Sequence, residues 1–236
     1  MKKPNDLGLV VCVSGILFLI GCSRSNEKPA APPPVPVDFG AVKTKAEQGD
    51  IESQVRLGQL YANGEGVKRD FGEAARWYKQ AADKGYAEAE SALGELYEAG
   101  RGVSLDFTQA AKLYRLAADQ GNLAAQFNLA AMLQAGRGVP SDQVEASKLF
   151  RAAAEQGDSQ AQFNVGQRYE LGVGVSEDRV EAFKWFSLAA GQGITDARAR
   201  REKLKEKMSG EELKEAKKRI ASFVPRVEHR KGADRK

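Results

Sequence analysis

The chain holds one histidine and two cysteines, and their positions limit its chemistry. His229 lies near the C-terminal end, with no acid or nucleophile patterned around it. Cys12 and Cys22 both precede the region that reads as folded. That region therefore offers no histidine for general acid–base work, no Ser/His/Asp or Cys/His set, and no cysteine-rich metal site. Glu211 and Glu212 read as ordinary acids at a helix N-terminus. Gly64-x-Gly66-Val67 has the look of a phosphate-cradling loop. It occurs four times, however, lacks a third glycine and joins helix to helix rather than strand to helix, so no nucleotide is expected. Trp77 and Trp185 fall on a helical apolar stripe and read as core. No catalytic residue, metal or dissociable cofactor is expected.

What positions the remaining residues is a repeat. Gly49, Gly85, Gly121, Gly157 and Gly193 are evenly spaced at 36 residues, and the residues between them recur in type. A fixed period of this size marks a stack of supersecondary units. In the first unit a helix is expected from Asp50 to Asn63. Leu57, Leu60 and Tyr61 form its stripe, Gly58 permits close approach, and Gly64 ends it. A second helix follows from Asp70. The pairs Asp70/Glu73, Asp106/Gln109, Asp142/Glu145 and Asp178/Glu181 have capping-box spacing and mark four such starts. One hairpin cannot bury its apolar face alone, so stacked neighbours must share a core.

The expected fold is all-α: an α/α superhelical solenoid of four 36-residue units, 46–81, 82–117, 118–153 and 154–189. A cap helix is expected at 37–45. A partial repeat and a basic capping helix occupy 190–224, with Ser209/Glu212 as another capping box, and 225–236 reads as a frayed tail.

The start of the chain reads as an address. Lys2 and Lys3 precede an apolar run from Leu9 to Ile20 that is short for a membrane span. The run ends Leu19-Ile20-Gly21-Cys22, which resembles the bacterial lipobox. That resemblance implies a signal peptide at 1–21 and a covalent lipid on Cys22. Ser23 rather than aspartate follows the cysteine, which in such lipoproteins favours the outer membrane, facing the periplasm. Residues 22–36 contain Pro29, Pro32, Pro33, Pro34 and Pro36 and read as a semi-rigid polyproline tether.

Charge is uneven. The net charge is +4, yet Arg198–Lys236 carries 15 Lys+Arg against 7 Asp+Glu, so the preceding chain is net acidic at −4. Lys214, Lys217, Lys218 and Arg219 cluster on the last predicted helix. They read either as a patch for anionic lipid, peptidoglycan or polysaccharide, or as a solvated capping face. An exported protein would not meet nucleic acid.

The string Gly-Asp/Asn, Ala-Gln-x-Asn-Leu-Gly-x-x-Tyr, Gly-x-Gly-Val, Asp, Trp-x-x-x-Ala-Ala resembles the Sel-1-like repeat, a relative of the tetratricopeptide repeat. The nearest copies are Ala125-Gln126-Phe127-Asn128-Leu129 and Ala161-Gln162-Phe163-Asn164-Val165-Gly166. Ala130, Leu133 and Arg168 depart from the pattern. The resemblance implies a scaffold for protein–protein contacts. Some secreted cousins with a disulfide in each repeat are linked to β-lactam-type or cell-wall compounds. No repeat here holds a cysteine, so an enzyme of that kind is only a remote alternative.

By analogy with tetratricopeptide packing, the first helix of each unit lines a concave groove. Arg56, Gln59, Glu95, Phe127, Asn128, Phe163, Asn164 and Gln167 are the candidate partner-binding residues, and Val55 and Ser91 fall on the same face. Aromatics beside amides suit an extended peptide; the same phenylalanines also suit packing between helices. The expected partner is an envelope protein, with peptidoglycan or polysaccharide as the alternative.

Overall fold

A computed structural model describes residues 38–226. The expected signal peptide, lipidation site Cys22 and proline-rich tether, and most of the expected tail, lie outside the described residues. Among those described there are helices and no strands.

A cap helix, α1 (Phe39–Glu47), is followed by four hairpins. These are α2 (Ile51–Asn63) with α3 (Phe71–Ala82), α4 (Ala87–Ala99) with α5 (Phe107–Asp119), α6 (Leu123–Ala135) with α7 (Gln143–Glu155), and α8 (Ser159–Leu171) with α9 (Arg179–Gly191). Then come α10 (Thr195–Lys205) and α11 (Gly210–Ala221). Helices pack chiefly on their chain neighbours, apart from α11, which lies against α9. That nearest-neighbour pattern is the signature of a solenoid. None of these helices is long and apolar enough to cross a membrane.

Local chemistry sets the ends. Asp70, Asp142 and Asp178 each accept from two backbone N–H groups in the first turn of the helix that follows, and Asp106 accepts from Gln109 N–H. Such caps satisfy donors a helix start leaves orphaned. The reciprocal half of the expected capping boxes is spent elsewhere. Glu73 binds Arg76, Glu145 binds Arg115, and Glu181 binds the Trp185 Nε1–H. The full box forms at Ser209/Glu212, in both directions.

The second glycine of each turn has a packing role. A Cβ on Gly102, Gly138 or Gly174 would stand 2.2, 2.3 or 2.0 Å from the backbone of Phe71, Phe107 or Gln143, respectively, in the preceding unit. Neighbouring units therefore meet backbone to backbone at this point.

Buried alanines fill the hairpin interiors, with Tyr78, Tyr114, Phe150 and Phe186 packed beneath the first helix of each unit. Trp77 and Trp185 are core residues, as expected. A line of buried amides staples the units together. Gln156 Nε2 donates to Gln126 Oε1 at 2.9 Å and to Gly121 O at 3.0 Å. Gln192 repeats the contact one period on, to Gln162 Oε1 at 2.9 Å and Gly157 O at 3.0 Å. At the start of the series Lys84 replaces the donor and reaches Gly49 O at 2.9 Å.

The C-terminal cap is fixed by a mixed contact. Phe223 meets Trp185 edge to face at 5.6 Å, and Arg219 Nη1 lies 2.8 Å from Glu181. Pro225 and Arg226, expected to fray, are held: Arg226 N donates to Glu155 O at 2.8 Å.

Candidate functional site

The first helices of the units, α2, α4, α6 and α8, carry the expected binding positions. The structure divides them. Val55 and Ser91 are buried and face the core rather than a groove. The next two members of the same periodic position are Phe127 and Phe163, and both are half-buried. Phe127 packs edge to face on Phe150 at 5.4 Å, and Phe163 lies tilted against Phe186 at 5.8 Å. Their rings therefore serve interhelix packing and leave only part of their surface to a ligand.

Arg56 and Gln59 are tied to each other at 3.3 Å, and Arg56 is also paired with Glu65 at 3.0 Å. Asn164 Nδ2 donates to Gln160 O at 2.9 Å within its own helix, while Asn128 lies at the Tyr114 hydroxyl. That hydroxyl donates to Glu98 at 2.9 Å, and burial followed by the Glu98 bond raises the phenol well above its ordinary range. Burial, then the charge of Glu95, pushes Tyr78 up to about 12. Glu95 keeps an exposed side chain, yet the surrounding walls displace enough water to raise its carboxyl, with Glu98 adding to the effect. The acids thus gather at the second unit, and the amides Asn128, Asn164 and Gln167 at the third and fourth.

A cleft opens between successive units on this face. Between the first and second it holds about 420 Å³, bounded by Phe71, Ala92, Glu95, Leu96 and Arg101. The matching cleft between the third and fourth holds about 170 Å³, bounded by Gln143, Asn164, Gln167, Arg168 and Val173. Each of these is 72 residues beyond its counterpart. In the earlier clefts a loop arginine lies over a helix-start phenylalanine: Arg101 over Phe71 at 5.5 Å and Arg137 over Phe107 at 5.0 Å. In the last cleft Gln143 replaces that phenylalanine and Val173 replaces that arginine. Arg168 stands where Leu60, Leu96 and Met132 stand in the other units, and Ser147 where Ala75 and Ala111 stand.

Arg168 is buried, 5% exposed. Its Nη1 donates to Ser147 Oγ at 2.9 Å and Gln143 O at 3.2 Å, and its Nη2 to Gln134 Oε1 at 2.8 Å. All of these acceptors are neutral. Burial alone lowers its pKa, with no carboxylate acting on it. Sequence reasoning noted Arg168 only as a departure from the repeat pattern and passed over Gln134, Gln143, Leu171 and Val173. Aligning the units position by position would have exposed the simultaneous changes.

The expected basic patch is also divided. Lys214, Lys217 and Lys218 are exposed, whereas Arg219 is held by Glu215 at 2.8 Å and Glu181 at 2.8 Å. Those bonds raise its guanidinium above the ordinary value. Arg219 is therefore a structural residue of the cap. Among the described residues no group of three or more His, Cys, Asp or Glu side chains converges as a metal site would require.

Helical hairpins at a 36-residue period, stapled through buried amides and differing from unit to unit on one face, define an α/α repeat solenoid. The Sel1 repeat model matches residues 51–86, 87–122, 123–158 and 159–194, and the chain belongs to that family. The matched units begin at the first helix of each hairpin, five residues later than the units drawn from the glycines. A Sel1 repeat protein from Oxalobacter formigenes is 31% identical, with 77% of this chain and 76% of that one covered and a TM-score of 0.67. The c5321 protein, described as a protective antigen present in uropathogenic Escherichia coli strains and displaying an SLR fold, is 27% identical with a TM-score of 0.52. There the match covers 78% of this chain and 48% of that one, so this chain spans about half the length of the antigen. A search of curated proteins found no match. Sel1 repeats generally act as non-enzymatic scaffolds that mediate protein–protein interaction.

Proposed function

We propose that this chain is a lipid-anchored scaffold of the bacterial cell envelope that holds a protein partner across the clefts of its Sel1 repeats, and that it is not an enzyme. The observation that carries this reading is the contrast between the two kinds of position. Asp caps and turn glycines recur from unit to unit, whereas the cleft residues change: Glu95 becomes Gln167, Ala92 becomes Asn164, and Leu96 becomes Arg168. Chemically varied side chains at the cleft on a rigid periodic frame suit recognition of a particular surface. The address rests on Leu19-Ile20-Gly21-Cys22 and on the two lysines that precede the apolar run.

Two experiments test it. Affinity capture of the full chain from envelope extracts should recover a defined partner, and Asn128→Ala with Gln167→Ala should abolish the capture. Both side chains are partly exposed on the first helices of their units, so capture unchanged by the pair would refute the groove assignment. Cys22→Ser should release the protein from membranes or block its processing; unaltered membrane fractionation would contradict the anchor.

The alternative, binding to peptidoglycan or exopolysaccharide, draws on Lys214, Lys217 and Lys218, exposed side by side on α11. Co-sedimentation with purified sacculi at low salt, lost when all three become glutamine, would favour it. Absence of co-sedimentation at low salt would count against it.

A further inference from the structure

We propose that the cleft between the third and fourth units is a subsite for a carboxylate of a bound polypeptide, with Arg168 as its cation and Leu171 and Val173 as a shelf for an apolar side chain beside that carboxylate. The assignment deepens the reading of this face as a protein-binding surface and rests on it.

The buried charge is the first ground. A guanidinium removed from water is normally paired with an acid, because neutral acceptors return only part of the lost solvation. Arg168 has neutral acceptors alone, plus the face of Phe150 with its centroid 5.1 Å away. The fold does not need the charge here, since Leu60, Leu96 and Met132 fill the same position in the other units and are fully buried or nearly so. What the other units solve with an apolar side chain, this one solves with a cation held by neutral groups alone.

Access is the second ground. Arg168 borders the cleft, and its Nη2 partner, Gln134, is an exposed residue. A carboxylate entering the cleft displaces the Gln134 amide oxygen from Nη2 and gains a charge-assisted bond in place of a neutral one. The freed amide can then turn its own N–H groups toward the ligand. Asn164 and Gln167, on the same helix as Arg168 and lining the same cleft, are suited to the peptide backbone.

The third ground is independent of charge. Leu171 is 65% exposed and Val173 37% exposed, and both border the same cleft. The earlier units place Asn63, Ala99 and Ala135 at the first position and Glu65, Arg101 and Arg137 at the second. Among the described units, the last cleft alone therefore sets two exposed aliphatic side chains at these positions beside a buried cation. One positive charge beside apolar surface matches a singly charged carboxylate next to a hydrophobic group better than a multiply charged phosphate.

The test uses the full chain in detergent micelles and three fluorescein-labelled peptides followed by anisotropy. One ends Ser-Ala-Leu with a free carboxylate. The second is its C-terminal amide. The third is an amide ending Ser-Glu-Leu. At least one acidic peptide should bind about tenfold tighter than the neutral amide, as a charge-assisted hydrogen bond implies. Whichever acid binds identifies a chain end or a side chain as the source. Arg168→Met, which installs the residue of the third unit, should erase the preference while leaving the melting midpoint unchanged or higher. Leu171→Ser, at an exposed position, should weaken the acidic peptide without touching the core. Equal binding of all three peptides, no binding at millimolar concentration, or an acid preference that survives Arg168→Met would overturn the subsite. If Arg168→Met does not fold, Leu171→Ser and Gln134→Ala decide, and unchanged acidic-peptide affinity in both overturns it. Partner capture that persists while the acid preference is absent would leave the groove reading standing and remove only this refinement.

Discussion

Glu90 accepts a hydrogen bond from Gln120 Nε2 at 2.8 Å, in a periodic position that Gln54, Gln126 and Gln162 fill in the other units. It is 3% exposed, and burial raises its carboxyl above the ordinary range despite the glutamine bond. The folded state therefore holds a proton at this site more tightly than the unfolded chain does. Its contribution to stability is full below the unfolded glutamate value, near pH 4, and is lost as pH rises through the raised folded value. Glu90→Gln should stabilise the protein at pH 7 by roughly 1 kcal/mol, with the gain vanishing toward pH 4. Urea unfolding across that range reads the difference; an equal gain at both ends would contradict the account.

Glu181 has the opposite sign. Burial pushes its carboxyl up, but Arg219 and Lys184 outweigh burial and hold it below the usual range. Its contribution is present above the unfolded value and is lost as pH falls through the depressed folded one. Glu181→Ala removes the acceptor of Trp185 Nε1, 2.9 Å away, and the partner of Arg219. We expect a loss of roughly 1–3 kcal/mol at pH 7, between the values for exposed and buried pairs. The loss should centre on α11. Limited proteolysis near Met208 should accelerate before the rest of the array unfolds; uniform destabilisation would contradict that placement.

Two glycines with similar backbone angles should respond very differently to alanine. Gly85 has φ +75° and nothing within 4 Å of a new Cβ, so Gly85→Ala should cost about 1–2 kcal/mol from the backbone alone. Gly138 has φ +72° and would set its Cβ 2.3 Å from the Phe107 carbonyl oxygen. Backbone strain and overpacking together give roughly 3–5 kcal/mol for Gly138→Ala. Thermal melts of the two variants compare the costs directly, and similar midpoints would refute the close contact between units.

A helical glycine gives a third case. A Cβ on Gly94 would lie 2.8 Å from the Tyr114 ring, yet alanine is the better helix former by about 1 kcal/mol. Gly94→Ala should still lose about 1 kcal/mol net, because the buried ring has to move. If Tyr114→Phe is added, the loss should grow through the missing Glu98 hydrogen bond, 2.9 Å in the native chain. Chemical denaturation of the single and double variants checks both steps.

The repeat was legible because its scaffolding residues act locally. Asp70 caps the helix that begins one residue later, Gly64 ends the one before it, and neither needs knowledge of a distant partner. The terminal helices were legible for the same reason, through Ser209 and Glu212. The cleft was harder to read because it depends on residues brought together across units. Gln134, Gln143 and Arg168 meet only after two hairpins stack, and periodicity marks Arg168 as unusual without saying what surrounds it. Phe127 and Phe163 looked equally suited to a ligand or to a neighbouring helix. Phe150 and Phe186, each 23 residues further on, decide how much of each ring is left exposed. The four basic residues of the last helix form one cluster in the sequence, which counts charges and does not show that Arg219 is already engaged by an acid 38 residues earlier.

The contact of Gly102, Gly138 and Gly174 with the preceding main chain is kept whichever residue stands at the facing helix start. The joint looks the same to a phenylalanine at position 71 or 107 and to a glutamine at 143. Pitch is thereby uncoupled from specificity. Two adjoining units can trade an aromatic and loop arginine for an amide and a buried cation across their shared cleft while the backbone joint between them is kept. An array of this kind can acquire new recognition one joint at a time, and exchange of whole units between relatives should preserve geometry while moving ligand preference with the module.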